Sequence, residues 1–228
     1  MKVSKKEKWV KIIGITLLVS LVLSIFYAFI MFMVAPAEIV DREPYQKVKT
    51  DYLLMLTQCF LGLVVMMLPT FISRKWSIVV PNTIVILYYV FLYCAIYLGE
   101  VRNFYYVIPY WDSILHTFSG AMLGALGFIL VDLLNKDQKV KVDLSPFFIS
   151  VFAFSFALAV GALWEVYEFS FDALLGLNMQ KHTTEAGVAL VGAEAVSDTM
   201  KDIILDALAA LVVSILGFLA NIKKTKDK

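Results

Sequence analysis

The chain has 228 residues, of which 61% are hydrophobic and 17% are charged, and its net charge at pH 7 is +1. Ordinary soluble domains are nearer one half apolar and one quarter charged, so this composition excludes a typical soluble domain. No basic stripe with interleaved aromatic residues occurs, which argues against nucleic acid as a partner. The predicted fold class is therefore all-α, a single polytopic membrane domain over residues 1–228.

Six apolar runs are each long enough to cross a bilayer, for which about 20 residues suffice. The predicted transmembrane helices cover residues 12–34, 52–72, 78–99, 111–134, 146–175 and 198–222. The first run is longer than the roughly 7–15 residues of a signal-peptide core, which favours a retained helix. Ser145 followed by Pro146 is a typical helix start and predicts where the fifth helix begins.

Lysine and arginine in the connecting segments predict the orientation, because cytoplasmic loops carry an excess of these residues. Fourteen lie on the side of the two termini and five on the other. Aromatic residues from Phe104 to Trp111 form a predicted interfacial belt before the fourth helix. The sequence therefore predicts that the N- and C-termini are both cytoplasmic (N-in/C-in) and that the lipid bilayer is the main partner.

Ionisable side chains are concentrated in the last three predicted helices. Asp112 and His116 lie four residues apart in the fourth helix. The fifth and sixth helices carry six carboxylates at steps of three or four residues: Glu165, Glu168, Asp172, Asp198, Asp202 and Asp206. Residues at this spacing share a helical face, and ionisable residues inside membranes are functional candidates by default.

These polar faces are expected to meet near the outer boundary of the hydrocarbon core. Counting about 20 residues per span from the inner ends places His116, Glu165 and Ile203 near that boundary, with Asp206 about 5 Å deeper. Small residues continue each face inward: Gly120, Gly124, Ala157, Gly161, Ala209 and Ala210. Small residues mark close helix contacts in membranes, so the acidic faces are predicted to point toward one another.

Seven carboxylates in one partly desolvated place need compensating charge, and His116 and Lys201 are the predicted positive groups. Bound cations or shared protons would supply the remainder. Carboxylates with one histidine suit Mg²⁺, Mn²⁺, Ca²⁺ or a carboxylate-bridged iron pair, and zinc stays possible. Three interpretations remain open: a divalent metal cluster, a proton- or ion-coupled relay, and scattered interfacial acids.

Three segments carry a family resemblance: Trp111–His116, Trp164–Glu168 and Asp198–Asp206. They resemble the YjdF-like family of bacterial inner-membrane proteins, which implies a multi-pass protein of the bacterial cytoplasmic membrane but no assigned reaction. The chain is also similar, more loosely, to VanZ-like membrane proteins. At two positions where the VanZ-like family has Asn and Gly, this chain has Asp206 and Ala209, respectively.

The functional hypothesis is a metal-dependent hydrolase or transferase that acts on an amphiphilic, lipid-type substrate at the outer leaflet. Five residues are predicted metal ligands: His116, Glu165, Glu168, Asp202 and Asp206. Asp112 and Asp172 are predicted catalytic or supporting carboxylates. The alternatives are a proton- or cation-coupled small transporter and a non-catalytic envelope protein with a structural ion site. The sequence does not indicate an oligomeric state.

Overall fold

In the computed structural model, six helices are long and apolar enough to cross a bilayer, as the sequence predicts. The structure describes residues 4–37, 47–76, 79–136, 144–184 and 188–226. These parts contain no β-strand, only one isolated bridge between Thr183 and Ala189. Several basic loop residues used to predict orientation, such as Arg42, Lys139 and Lys141, lie outside the described residues, as does Ile78, the predicted start of the third span.

The chain divides into two compact units. The first unit contains α1 (Lys5–Val34), α2 (Lys49–Val65), α3 (Leu68–Trp76), α4 (Asn82–Leu92) and α5 (Phe104–Val107). A capping box of Ser4 and Glu7 begins α1, because the serine hydroxyl and the glutamate carboxylate each accept an otherwise unpaired backbone N–H. The core of this unit is apolar and includes Leu17, Leu21 and Met55, all fully buried.

Two irregularities in the first unit were not predicted. The second span is interrupted between Val65 and Leu68, and Pro69 stands in the first turn of α3, where the missing proline N–H costs little. The third span continues from α4 as a π-helix over Tyr93–Val101. Within it the carbonyl of Cys94 accepts a hydrogen bond from Trp111 Nε1 at 3.3 Å, which provides that backbone group with a partner.

The second unit contains three long helices, α6 (Trp111–Lys136), α7 (Pro146–Leu175) and α8 (Ser197–Lys226), together with part of the segment between α7 and α8. The Ser145 hydroxyl accepts the backbone N–H of Phe148 at 3.2 Å, which confirms the predicted start of α7.

Glycines allow these three helices to approach closely. A Cβ added at Gly120 would lie 2.5 Å from the backbone oxygen of Asp206, and one at Gly127 would lie 2.6 Å from the Cα of Ala153. Such contacts bring α8 and α7, respectively, against α6 at backbone distance, as small residues do in membrane proteins. The polar faces of α6, α7 and α8 therefore meet inside this unit, as predicted.

Candidate functional site: an imidazole among carboxylates

His116 lies at the centre of the polar side chains of the second unit and is only 8% exposed. Its Nδ1 is 3.2 Å from Oδ2 of Asp206, and the Ser119 hydroxyl donates to Oδ1 of the same carboxylate at 2.7 Å. An ionised carboxylate can only accept, so Nδ1 carries the proton in this contact. Asp206, 2% exposed, therefore fixes the orientation and tautomer of the ring.

The opposite nitrogen of the imidazole faces two more carboxylates. Nε2 lies 3.7 Å from Oδ1 of Asp112 and 3.8 Å from Oδ2 of Asp202, and one ligand atom from each of the three residues lies within 4.8 Å of the others. Either a proton on Nε2 or a bound cation has to compensate this approach of the ring nitrogen to two carboxylate oxygens. With Nε2 deprotonated, these three atoms would form a ligand set for a cation.

Glu165 on α7 adds a fourth acidic group. It is 4% exposed, and neither of its buried carboxylate oxygens has a hydrogen-bond partner of normal geometry among the described residues. His116, Asp112 and Asp198 are within electrostatic range, and the Thr199 hydroxyl is close enough to interact with the carboxylate as a hydrogen-bond donor. One turn earlier, Gly161 would place a Cβ 2.6 Å from Oδ2 of Asp206, so this face of α7 is directed at the cluster. Buried polar groups normally have partners, so a cation or a proton in this cluster would also stabilise Glu165.

Lys181, and not the predicted Lys201, supplies positive charge to the cluster. Its ammonium contacts Oδ2 of Asp112 and lies 3.1 Å from both oxygens of Asp198, whereas Lys201 is exposed on α8. Burial disfavours the charged lysine, but attraction to Asp112 and Asp198 outweighs it, so the pKa of Lys181 lies above its ordinary value. Nothing in the local sequence signals this role, because it depends on the path of the loop.

Asp172 holds that loop in place. Its carboxylate accepts the backbone N–H groups of Met179 at 2.8 Å and Gln180 at 3.0 Å. His182 Nδ1 lies 3.5 Å from the same carboxylate. Asp172 is buried and belongs to the loop anchor rather than to the group around Nε2.

Glu168, the remaining predicted ligand, accepts a hydrogen bond from Trp164 Nε1 at 2.8 Å. Its charged neighbours include Glu165, Asp112 and Lys181, which places it beside the cluster without joining the group around Nε2. The structure thus brings Asp112, His116 and Asp202 together as possible ligands.

A set of one imidazole nitrogen and two carboxylate oxygens suits a divalent metal. Metal–ligand bonds of about 2.0–2.2 Å place two ligand atoms of one ion up to roughly 4.4 Å apart, so the separations of 3.7 and 3.8 Å fit a common ion. The Asp206–His116 contact corresponds to the carboxylate that commonly orients a ligating histidine. Imidazole with carboxylates favours Mn²⁺, Fe²⁺ or Zn²⁺ over Ca²⁺.

Comparison with known proteins gives a family without an assigned activity. No curated protein and no solved structure matches the chain. The comparison does not give the name YjdF-like to the family that matches. It also gives no support to the predicted similarity to VanZ-like proteins. The family model that matches describes a predicted membrane protein, DUF2238, and it covers residues 17–223. Since the match covers most of the chain, including α6, α7 and most of α8, the chain belongs to the DUF2238 family of predicted membrane proteins.

Proposed function

We propose that this protein is a metal-dependent membrane hydrolase or transferase that acts on an amphiphilic, lipid-type substrate at the outer leaflet of a bacterial cytoplasmic membrane. The observation that carries the proposal is the convergence of His116, Asp112 and Asp202, in which Nε2 lies 3.7 Å from Asp112 Oδ1 and 3.8 Å from Asp202 Oδ2. These three atoms would hold one divalent ion, and Asp206 would orient the imidazole. The basic-residue pattern of the sequence supports an orientation with both termini in the cytoplasm.

The surroundings of the three ligands favour catalysis over a purely structural ion. Asp112 is 21% exposed, so the group is not fully enclosed by the protein. A bound ion would polarise a phosphoryl or acyl group and lower the pKa of water. Glu165, whose buried carboxylate interacts with His116, Asp112 and the Thr199 hydroxyl, would accept the proton of the attacking water.

The two residues predicted to be catalytic take different parts in this proposal. Asp112 would bind the ion directly through Oδ1, while Asp172 would act through the backbone of the loop that it anchors. Beneath Asp206, Gly124 lies in contact with Ala210 and Val213. The close apolar packing there favours a closed site over a polar path through the membrane, and hence the enzyme over the transporter.

The proposal is tested in lipid nanodiscs by measuring metal content and lipid turnover together. Wild type loaded with Mn²⁺ or Zn²⁺ is expected to retain about one ion and to convert a component of a bacterial lipid extract, detected by mass spectrometry. Asp202→Asn is expected to lose the ion and the turnover, and Glu165→Gln to lose at least tenfold in turnover. Asp132→Asn serves as the control, since Asp132 is exposed elsewhere on α6.

Two results would refute parts of this proposal. Full turnover in both Glu165→Gln and Asp202→Asn would exclude the enzyme mechanism. A bound ion without turnover, lost from Asp202→Asn together with thermal stability, would identify a structural ion site instead.

A further inference from the structure

The Lys181 ammonium lies beside two carboxylates of the cluster, in a position that a bound cation could also take. It contacts Oδ2 of Asp112 on α6 and both oxygens of Asp198 on α8. The other oxygen of Asp112, Oδ1, faces His116 Nε2. The Asp112 carboxylate is therefore shared between the lysine on one side and the proposed metal ligands on the other.

The loop backbone is held so that it delivers this side chain. Lys181 has φ = 48°, a left-handed conformation that is unfavourable for a residue other than glycine. The preceding residues are fixed on both neighbouring helices, because Asp172 accepts two backbone N–H groups and Gln180 Nε2 donates to Thr199 Oγ1 at 2.7 Å. Backbone strain that is overdetermined by its surroundings is typical of functional positions.

Without the lysine, the same atoms would form a second cation site. Asp112 Oδ2 and the two oxygens of Asp198 would face one another, with Glu168 close enough to interact with Asp112. In two-metal sites, a carboxylate commonly bridges ions about 3.5–4 Å apart. Asp112 has this disposition, with Oδ1 toward the proposed ion and Oδ2 toward the ammonium.

We propose that Lys181 is a built-in second cation that restricts the cluster to a single divalent ion and makes Asp112 a monodentate ligand. This inference rests on the proposed metal site. In this inference Lys181 takes the place of a second metal ion: its single positive charge is shared between Asp112 and Asp198 and keeps Asp198 from binding metal.

The test is Mn²⁺ stoichiometry, measured by calorimetric titration and elemental analysis of the full-length protein in nanodiscs. Wild type is expected to bind about one ion and Lys181→Met about two. Lys181→Arg keeps the positive charge and is expected to bind one. Lys201→Met is the matched control, since it removes an exposed lysine of α8, and is expected to bind one.

The possible outcomes separate this inference from the proposed function. If wild type binds one ion and folded Lys181→Met binds one or none, the inference is overturned. Binding of two ions by Lys181→Arg would overturn it as well. If Lys181→Met does not show a cooperative unfolding transition, Lys181→Gln is judged by the same criterion. No ion on wild type refutes the proposed metal site, and no ion on either protein overturns both ideas.

Discussion

Gly120→Ala is the substitution that most directly tests the close approach of α6 and α8. The added Cβ would lie 2.5 Å from the Asp206 backbone oxygen and 2.8 Å from its Cα. Ordinary contact begins near 3.4 Å, so α8 must move away by about 0.9 Å at this point, since rigid backbone cannot rotate aside as a side chain does. The same movement would lengthen the His116 Nδ1–Asp206 Oδ2 distance from 3.2 Å toward about 4 Å, which is too long for a hydrogen bond.

The expected cost follows from this displacement. Overpacking of a close contact costs roughly 1–3 kcal/mol, which for a chain of this size lowers the melting temperature by about 2–12 °C. Loss of the carboxylate that orients a ligating histidine typically lowers metal affinity 10–100-fold. Both quantities are measurable in nanodiscs, by fluorescence-detected thermal unfolding and by calorimetric titration with Mn²⁺.

Gly124→Ala is the matched control, one turn along the same helix. Its added Cβ would lie 3.4 Å from the nearest atoms of Val213, so it should change both quantities little. Each substitution gains the same helix propensity, and the difference between the two variants isolates the contact with Asp206. Equal stability and metal affinity in Gly120→Ala and Gly124→Ala would refute the described approach of the two helices.

Two further substitutions separate the carboxylates by role. Asp206→Asn should lower Mn²⁺ affinity 10–100-fold in calorimetric titration while the protein stays folded, because the amide orients the ring less strongly; unchanged affinity would exclude the orienting role. Asp172→Asn should accelerate hydrogen exchange at the backbone amides of Met179 and Gln180 without removing the ion, because one carboxylate acceptor is replaced by a donor. Unchanged exchange at these two amides would contradict the anchor.

The sequence was sufficient to predict the convergence of α6, α7 and α8. Charged residues at steps of three or four fix a face, and the glycines along the same faces indicate which side meets a neighbour. Gly120 and Gly161, both in close contact with Asp206, illustrate how the two signals coincide.

The separate roles of Asp202, Asp206 and Lys181 within the cluster could not be predicted from the sequence. Asp202 and Asp206 share a face one turn apart, and only the position of the His116 ring determines that one faces Nε2 and the other Nδ1. Lys181 is 69 residues from Asp112 in sequence, so its contact depends on a loop path that no periodicity encodes. The π-helix of Tyr93–Val101 could not be predicted either. In a predominantly apolar span, the pattern of polar and apolar residues does not distinguish a π-helix from an α-helix.

Whether His116 binds the metal is tested by electron spin echo spectroscopy of the Mn²⁺-loaded protein, which detects coupling from a coordinated histidine nitrogen. The chain contains only two histidines, so each is removed in turn. We predict a histidine nitrogen signal in wild type and in His182→Gln, and its loss in His116→Gln. Bound Mn²⁺ with no histidine coupling in wild type, or coupling that survives in His116→Gln, would contradict a metal centre built on His116.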